Sequence, residues 1–375
     1  MNYVVWLIVF FTYYFSSFAQ SITVENIEIT GNKRTRNYVI LREMTFVEGD
    51  TLSKTTISEV FKRNQQNIYN LGLFNSVVVT PTWKEDSTSL TLEIQVKERW
   101  YIFPAASAVV EERNSRDVLE KLLYQDTRLS VLNRLSVNGS LFWTNITGRN
   151  ETLWFLAQLG FSKQFYLYYG LPWFIPKQRI DASVGLKYIE QKEMITNTLD
   201  GKVRWGRVTT EPLKTTIGGY VNFRKRFDAF QSLSMKLSYS YFRIADSMKY
   251  YNPVYIGNNN QIEHYPSLQL EYVNDVRDVK AYPSKGFRFR AMERVYGFLP
   301  YSTSNFTKAA VTWAHYIPLS KRWNFAYGSE NIWILGRKVP YFEKVFVWLE
   351  TDDFGDFAPQ IRGYQTYSIS GSLMT

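Results

Sequence analysis

Few residues in this chain have a type and spacing that could run a reaction. There is no cysteine among 375 residues, and the two histidines, His264 and His315, stand too far apart in sequence to suggest one site. The absence of cysteine excludes a disulfide scaffold, cysteine zinc sites and a lipoprotein anchor. No Ser–His–Asp order, glycine-rich phosphate loop or metal-ligand spacing rises above chance. The run ETDDFGD (350–356) offers carboxylates of the kind calcium takes, but without the spacing of a calcium loop. The sequence therefore predicts no enzyme, no metal and no cofactor. What remains is charge and turn chemistry. Arg362, Gly363 and Tyr364 sit together in a polar loop. Asp275, Arg277, Asp278, Pro283 and Gly286 have the composition of a turn held by internal ion pairs, a structural role. Lys187, Lys202, Arg204, Lys214, Lys236, Arg288, Arg290 and Arg294 form a basic set on one phase of alternating segments. They could meet the carboxylates of a loop or of a bound polypeptide; a solvated lining balanced by acidic loops explains them equally well.

These groups need a scaffold, and from about residue 130 the chain supplies one with period two. In LSVNGSLFW, Leu135, Val137, Leu141 and Trp143 oppose Ser136, Asn138 and Ser140. In IDASVGLKY, Ile180, Ala182, Val184, Leu186 and Tyr188 oppose Asp181, Ser183 and Lys187. SLSMKLSYSY and SLQLEY repeat the pattern, with Leu237 against Ser238 and Leu270 against Gln269. Segments of about ten residues, half apolar and half polar, suit a transmembrane β-barrel, with one face to lipid and the other to a wet lumen. A soluble sandwich shares the period but has shorter strands and fewer aromatics on one face. Aromatic residues make up 17% of the chain, and Trp143, Phe165, Trp173, Tyr188 and Tyr241 fall near strand ends, where interfacial aromatics belong. A mean hydropathy of −0.26 excludes a helical membrane protein. The net charge of +10 comes without a dense Lys/Arg block, so the expected partner is a lipid bilayer and not nucleic acid.

Eleven strands are predicted, near 133–143, 151–161, 164–173, 178–189, 196–206, 213–223, 232–243, 267–274, 286–296, 306–317 and 322–334. SKQ and PLSKR read as short turns on one side. The connection 245–265 and the loop from about 336 read as lying on the other. An odd count leaves two open edges where single-chain bacterial barrels normally close with an even number, so the barrel is expected to be incomplete. Ahead of it, residues 1–19 read as a signal peptide. Its apolar run from Val4 to Phe15 is too short to span a bilayer, and Ser17 and Ala19 are placed for cleavage after Ala19. Residues 20–98 read as a small domain with one strand, two helices and two strands. In its second helix Ile57, Val60, Phe61, Ile68 and Leu71 share a face, Ser53 is the expected N-cap and Gly72 the stop. Residues 99–132 are a connector, and 133–375 the barrel.

The small domain, with Leu71, Gly72, Leu73 and Phe74 at its second helix exit, resembles a POTRA (polypeptide-transport-associated) domain. Gly72 would end the helix in a left-handed conformation and Phe74 would plug the core. DVRDVKAYPSKGFRFR (275–290), VPYFEKVF and IRGY follow in an order and spacing that resemble the surface-antigen barrel of the BamA/TamA-type outer-membrane assembly factors. The resemblance implies a mainly β fold, with a small α+β POTRA-like domain followed by an incomplete antiparallel transmembrane β-barrel of about 11 of 16 strands. It implies an outer-membrane location with the N-terminal domain in the periplasm. It also implies unfolded outer-membrane proteins as clients, with periplasmic or lipoprotein accessory subunits as further partners. Arg362 would hold a loop folded into the lumen, and Asp275 to Gly286 would form a periplasmic turn. One departure is that Gly355 stands alone where the family often has a Gly-Gly pair. The implied activity is non-enzymatic insertion, with client strands templated on the first barrel strand, near 133–143. A two-partner-type secretion pore and a passive channel are the alternatives.

Overall fold

The computed structural model describes residues 21–84, 88–111, 133–199, 202–208, 210–228, 230–253, 255, 261–278, 283–302, 304–320, 322–337, 339–343, 345–346, 370–371 and 373–374. The expected signal peptide, the ETDDFGD run and Arg362, Gly363 and Tyr364 lie outside the described residues. The chain forms two compact units, Met1–Ile102 with Thr144–Glu151, and Phe103–Trp143 with Thr152–Thr375.

The first unit runs β1 (Ser21–Thr30), α1 (Asn37–Leu41), β2 (Thr51–Ser53), α2 (Ile57–Tyr69), β3 (Phe74–Trp83) and β4 (Ser89–Glu98). The sheet order is β2-β1-β4-β3, with β1 parallel to β4. Strict alternation in β4 buries Leu90, Leu92, Ile94 and Val96, and α2 packs Ile57, Phe61 and Ile68 into the same core. Two expectations are corrected. Ser53 is not the helix cap, because it pairs with Ser21 in β2, and the helix starts at Ile57. Leu71 lies past the helix end and is half-buried, whereas Leu73 and Phe74 are buried. Gly72 is left-handed at φ +69°, as a helix-ending glycine should be.

The second unit is a sheet of β5 (Ile102–Val110), β6 (Leu135–Thr144), β7 (Thr152–Gly160), β8 (Lys163–Ile175) and β9 (Ile180–Gln191), then a hairpin of β10 (Glu193–Leu199) and β11 (Lys202–Arg207). It continues with β12 (Lys214–Arg226), β13 (Gln231–Ile244), α3 (Met248–Tyr251), β14 (Ile262–Asp275), β15 (Gly286–Tyr296), β16 (Asn305–Pro318) and β17 (Asn324–Arg337). The short pieces β18 (Val345–Phe346), β19 (Ser370–Gly371) and β20 (Leu373–Met374) follow. One antiparallel sheet runs in the order β20-β17-β16-β15-β14-β13-β12-β9-β8-β7-β6-β5. Without the two-residue β20 it has eleven long strands, the expected number, but their membership differs. The predicted strand at 196–206 is instead the separate hairpin β10–β11, in which Leu199 pairs with Lys202. The sheet begins with β5, inside the stretch read as a connector. The hairpin changes the side of what precedes it. The turn after β7 leaves the same end of the sheet as the 245–261 connection and the exit of β17. The 276–285 and 319–323 turns leave the opposite end, which also carries 145–151; we call this the near end.

The faces of this sheet invert the rule for proteins in water. Outward-facing Leu186, Ile217, Leu233, Met235, Leu237 and Leu270 are exposed, while inward-facing Lys187, Ser238, Ser267, Gln269 and Arg294 are buried. Leu237 is 54% exposed and Gln269, on the adjacent strand, 2%. That arrangement suits hydrocarbon outside and polar satisfaction inside. Outward aromatics bracket the apolar band. Tyr239 and Tyr241 meet His264 at the far end, and Trp313 and Phe325 meet Tyr327 at the near end. The inner face, expected to be polar against a wet lumen, is not polar throughout. Toward the far end, inward Phe242, Tyr265, Met292, Tyr296, Phe306, Ile332 and Ile334 form a buried cluster, with Tyr296 stacked on Phe306 at 4.4 Å.

Candidate functional site

The site that the sequence marks most densely is the near-end turn from β14 to β15. Asp275 ends β14, and its two oxygens accept from Arg277 Nε and Nη2 at 2.7 Å each, a bidentate pair. The hydrogen bond and charge of Asp275 raise the Arg277 pKa above its ordinary value. Asp278 accepts the backbone N–H groups of Ser284 (2.9 Å) and Lys285 (3.1 Å), and the Ser284 hydroxyl as well. Pro283 precedes that pair. Gly286 has φ +103°, and a Cβ there would lie 2.3 Å from the Val276 carbonyl oxygen, so only glycine fits. The predicted residues thus come together in one turn built of the Asp275–Arg277 ion pair, the hydrogen bonds to Asp278 and a fixed backbone.

Up the inner wall from that turn, Arg288, Arg290 and Arg294 occupy inward positions of β15, with Met292 between the last two. Arg288 faces Asp275 across the strand pair. Arg290 Nε donates to Glu271 Oε1 at 2.7 Å, and buried Arg294 donates from Nε to Gln269 Oε1 at 2.8 Å and from Nη1 to the Tyr296 hydroxyl at 2.9 Å. These hydrogen bonds to carboxylate, amide and hydroxyl oxygens offset part of the cost of taking the cations out of water. Lys187, Lys214 and Lys236 also lie on inward positions, with Lys214 4.5 Å from the centre of the Phe242 ring. Lys202 and Arg204 do not join them. They belong to β11, in the hairpin that projects from the far end.

At the far end the connections pack on one another. Met194 and Ile195 of β10 pack with Leu213, Ile244, Met248, Tyr255 and Tyr341 in a buried apolar cluster. The segment after β17 is drawn toward the inner wall, with Lys308 Nζ of β16 donating to Glu343 Oε2 at 2.5 Å and Tyr341 N to Tyr255 O at 2.9 Å. Two features here were missed by sequence reasoning. Arg134 and Glu193 form a buried ion pair, with Arg134 and Arg207 both over the Phe161 ring. Glu111 accepts from Gln158 Nε2 (2.9 Å), the Ser162 hydroxyl (2.6 Å) and the Ser136 hydroxyl. Pairs so remote in sequence leave no local pattern to read.

Within the first unit, the 145–151 turn packs on the small domain through polar groups. Asn145 Nδ2 donates to the Thr35 hydroxyl (2.8 Å), and that hydroxyl donates to Glu98 Oε1 (2.6 Å). The Tyr101 hydroxyl lies 3.2 Å from the Thr35 hydroxyl, and burial raises its pKa. Arg36 N donates to Gly148 O at 3.0 Å. Gly148 is left-handed, and a Cβ would lie 2.2 Å from Arg34 O. Burial of Glu151 alone would raise its pKa. The bonds it accepts from the Thr147 hydroxyl and from backbone N–H groups, Thr147 and Arg149 among them, outweigh that and lower it.

Against known proteins, residues 22–99 match POTRA, the surface antigen variable number repeat, and residues 145–355 match the Omp85 superfamily domain. Over 76 residues the chain is 37% identical to outer membrane protein assembly factor BamA of Neorickettsia risticii, a match covering 20% of this chain and 10% of that protein. The fold aligns with BamA from Haemophilus ducreyi lacking POTRA domains 1–3, at TM-score 0.53 and 17% identity, covering 88% of this chain and 59% of that one. It also aligns with CdiB from Escherichia coli, at TM-score 0.51 and 10% identity, covering 94% and 60%. The chain thus spans a tenth of the curated relative and about three-fifths of each solved chain. At such identities the solved structures speak to fold alone.

Proposed function

This chain belongs to the Omp85 superfamily, with its barrel strands in the outer membrane and its POTRA domain in the periplasm, and we propose that it is a non-enzymatic factor that assembles β-barrel proteins into that membrane. The observation that carries this reading is a pair of accessible strand edges. In the POTRA sheet β3 is an edge strand with Val78 and Trp83 exposed, a place where an unfolded client could add a strand through its backbone. In the membrane sheet β5 has no further strand beyond it among the described residues, is exposed from Phe103 to Val109 and carries Pro104, a residue that edges tolerate. The templating role expected of the strand near 133–143 moves to β5, because β6 is paired on both sides. The client's own backbone pairing and apolar burial would drive insertion, without nucleotide or metal. Accessory periplasmic or lipoprotein subunits would join on the periplasmic side.

A photo-cross-linking residue at Val78, and separately at Ala106 of β5, tests this in cells. Assembly predicts capture of several different unfolded barrel proteins at both positions. A second reading, two-partner-type secretion, draws support from the likeness in fold to CdiB. It predicts capture of one exported protein. The passive-channel reading predicts no capture, and the apolar cluster on the inner face of β13 to β17 toward the far end counts against it.

A further inference from the structure

Asp181, the first inward residue of β9 at the near end, is 7% exposed, and both its oxygens are engaged. Oδ1 accepts the Trp173 N–H at 2.9 Å. Oδ2 accepts Arg224 Nη2 at 2.9 Å, Arg224 Nε at 3.1 Å and Arg226 Nε at 2.7 Å. One carboxylate therefore holds two guanidinium groups, and the cluster keeps one net positive charge. Arg226 donates through Nε alone among the described residues, which leaves its two Nη groups for another acceptor. The backbone beside it is distorted. Trp173 is left-handed at φ +56°, a conformation that an aromatic residue adopts at a cost, and the β8–β9 register breaks between Leu171 and Ile175. Next to this bulge is a cavity of about 150 Å³. Its polar lining is Thr152, Tyr168, Ser183 and Asn222, with Arg224 and Asp181, and no second acidic residue takes part.

An ion pair that merely fixed the bulge would need one arginine. Here the charge of Asp181 is already met by Arg226 outside the cavity, so Arg224 on the lining, the ring of hydroxyl and amide groups beside it, and a space the size of about five waters exceed that need. We propose that this cavity is an oxyanion site, taking a carboxylate or phosphate group between the Arg224 guanidinium and the Ser183, Thr152 and Asn222 side chains. A planar guanidinium held from one side by Asp181 presents its remaining N–H groups in the geometry that such anions accept. The site stands on the second unit's geometry alone and does not depend on the assembly reading.

The test is calorimetric titration of the full chain in detergent micelles with sodium phosphate and, separately, sodium acetate, at ionic strength fixed with sodium chloride. Saturable binding of at least one probe is expected, at least tenfold weaker in Arg224→Gln and several-fold weaker in Asn222→Ala, which alters no charge. Phosphate alone binding assigns a phosphate source, and acetate alone a carboxylate source. No saturable binding of either probe overturns the proposal, as does wild-type affinity in Asn222→Ala together with Arg224→Gln. If Arg224→Gln does not fold, Asn222→Ala decides by itself.

Discussion

Asn145 donates through Nδ2 to the Thr35 hydroxyl at 2.8 Å across 110 residues of sequence, and both side chains are buried. Asn145 opens the turn between β6 and β7, two strands of the membrane sheet, yet the turn packs as part of the POTRA unit. The turn itself is therefore part of the POTRA unit's folded body. Replacing Asn145 with alanine removes the donor to the Thr35 hydroxyl, takes away the acceptor of the Asn150 N–H and puts alanine at φ +54°. The expected cost is about 2–4 kcal/mol, from one unsatisfied backbone donor, one lost buried hydrogen bond and one left-handed residue. Urea unfolding of wild type and variant, followed by tryptophan fluorescence, measures it.

The same turn carries a pH dependence of known sign. The folded-state pKa of Glu151 lies below its ordinary 4.5. Its contribution to stability is therefore fully present above the unfolded value and is lost as pH falls through the folded one. Stability of the wild type should drop below pH 4.5 more steeply than that of Glu151→Gln, whose side chain does not titrate. Unfolding midpoints across that range, compared between the two proteins, check it.

Gly286→Ala should be among the most damaging single-methyl changes at the near end. The added Cβ would sit 2.3 Å from a backbone oxygen, and φ +103° is a glycine conformation. We expect a loss of about 2–3 kcal/mol, seen as a smaller folded fraction by heat-modifiable gel mobility. A change of Lys285 to alanine, an exposed position, should leave that fraction unchanged.

Glu343→Gln should free the segment that follows β17. It removes the charge partner of Lys308, whose side chain is 16% exposed, and breaking a buried pair costs about 3–5 kcal/mol. Hydrogen exchange should accelerate at Tyr341, whose amide bonds to Tyr255, and remain slow in the centre of β16.

Much of this fold was legible because alternation is a local signal. Leu233, Met235 and Leu237 against Ser234, Lys236 and Ser238 show both the strand and its two faces. Gly72 and Phe74 mark the helix exit by residue type alone. The near-end turn was legible for the same reason, since Asp275, Arg277, Asp278 and Gly286 fall within twelve residues. The hairpin at 193–207 was not, because its residues alternate as a membrane strand does and only pairing shows that they fold back on themselves. Nor was β5, where PAASA offers small residues with no period. Alternation puts Asp181 on the inner face, but its partners Arg224 and Arg226 lie more than forty residues away. Buried polar networks of that reach, like Asn145 with Thr35, are set by topology and not by neighbours in sequence.

The assembly reading is tested most directly by reconstituting the chain into liposomes, adding a urea-unfolded outer-membrane β-barrel protein and following its folding by heat-modifiable gel mobility. The account predicts folding at least several-fold faster than in empty liposomes of the same lipid, with cross-links from Val78 and Ala106 to the client during the reaction. An unchanged folding rate, with the chain itself fully inserted, would contradict it.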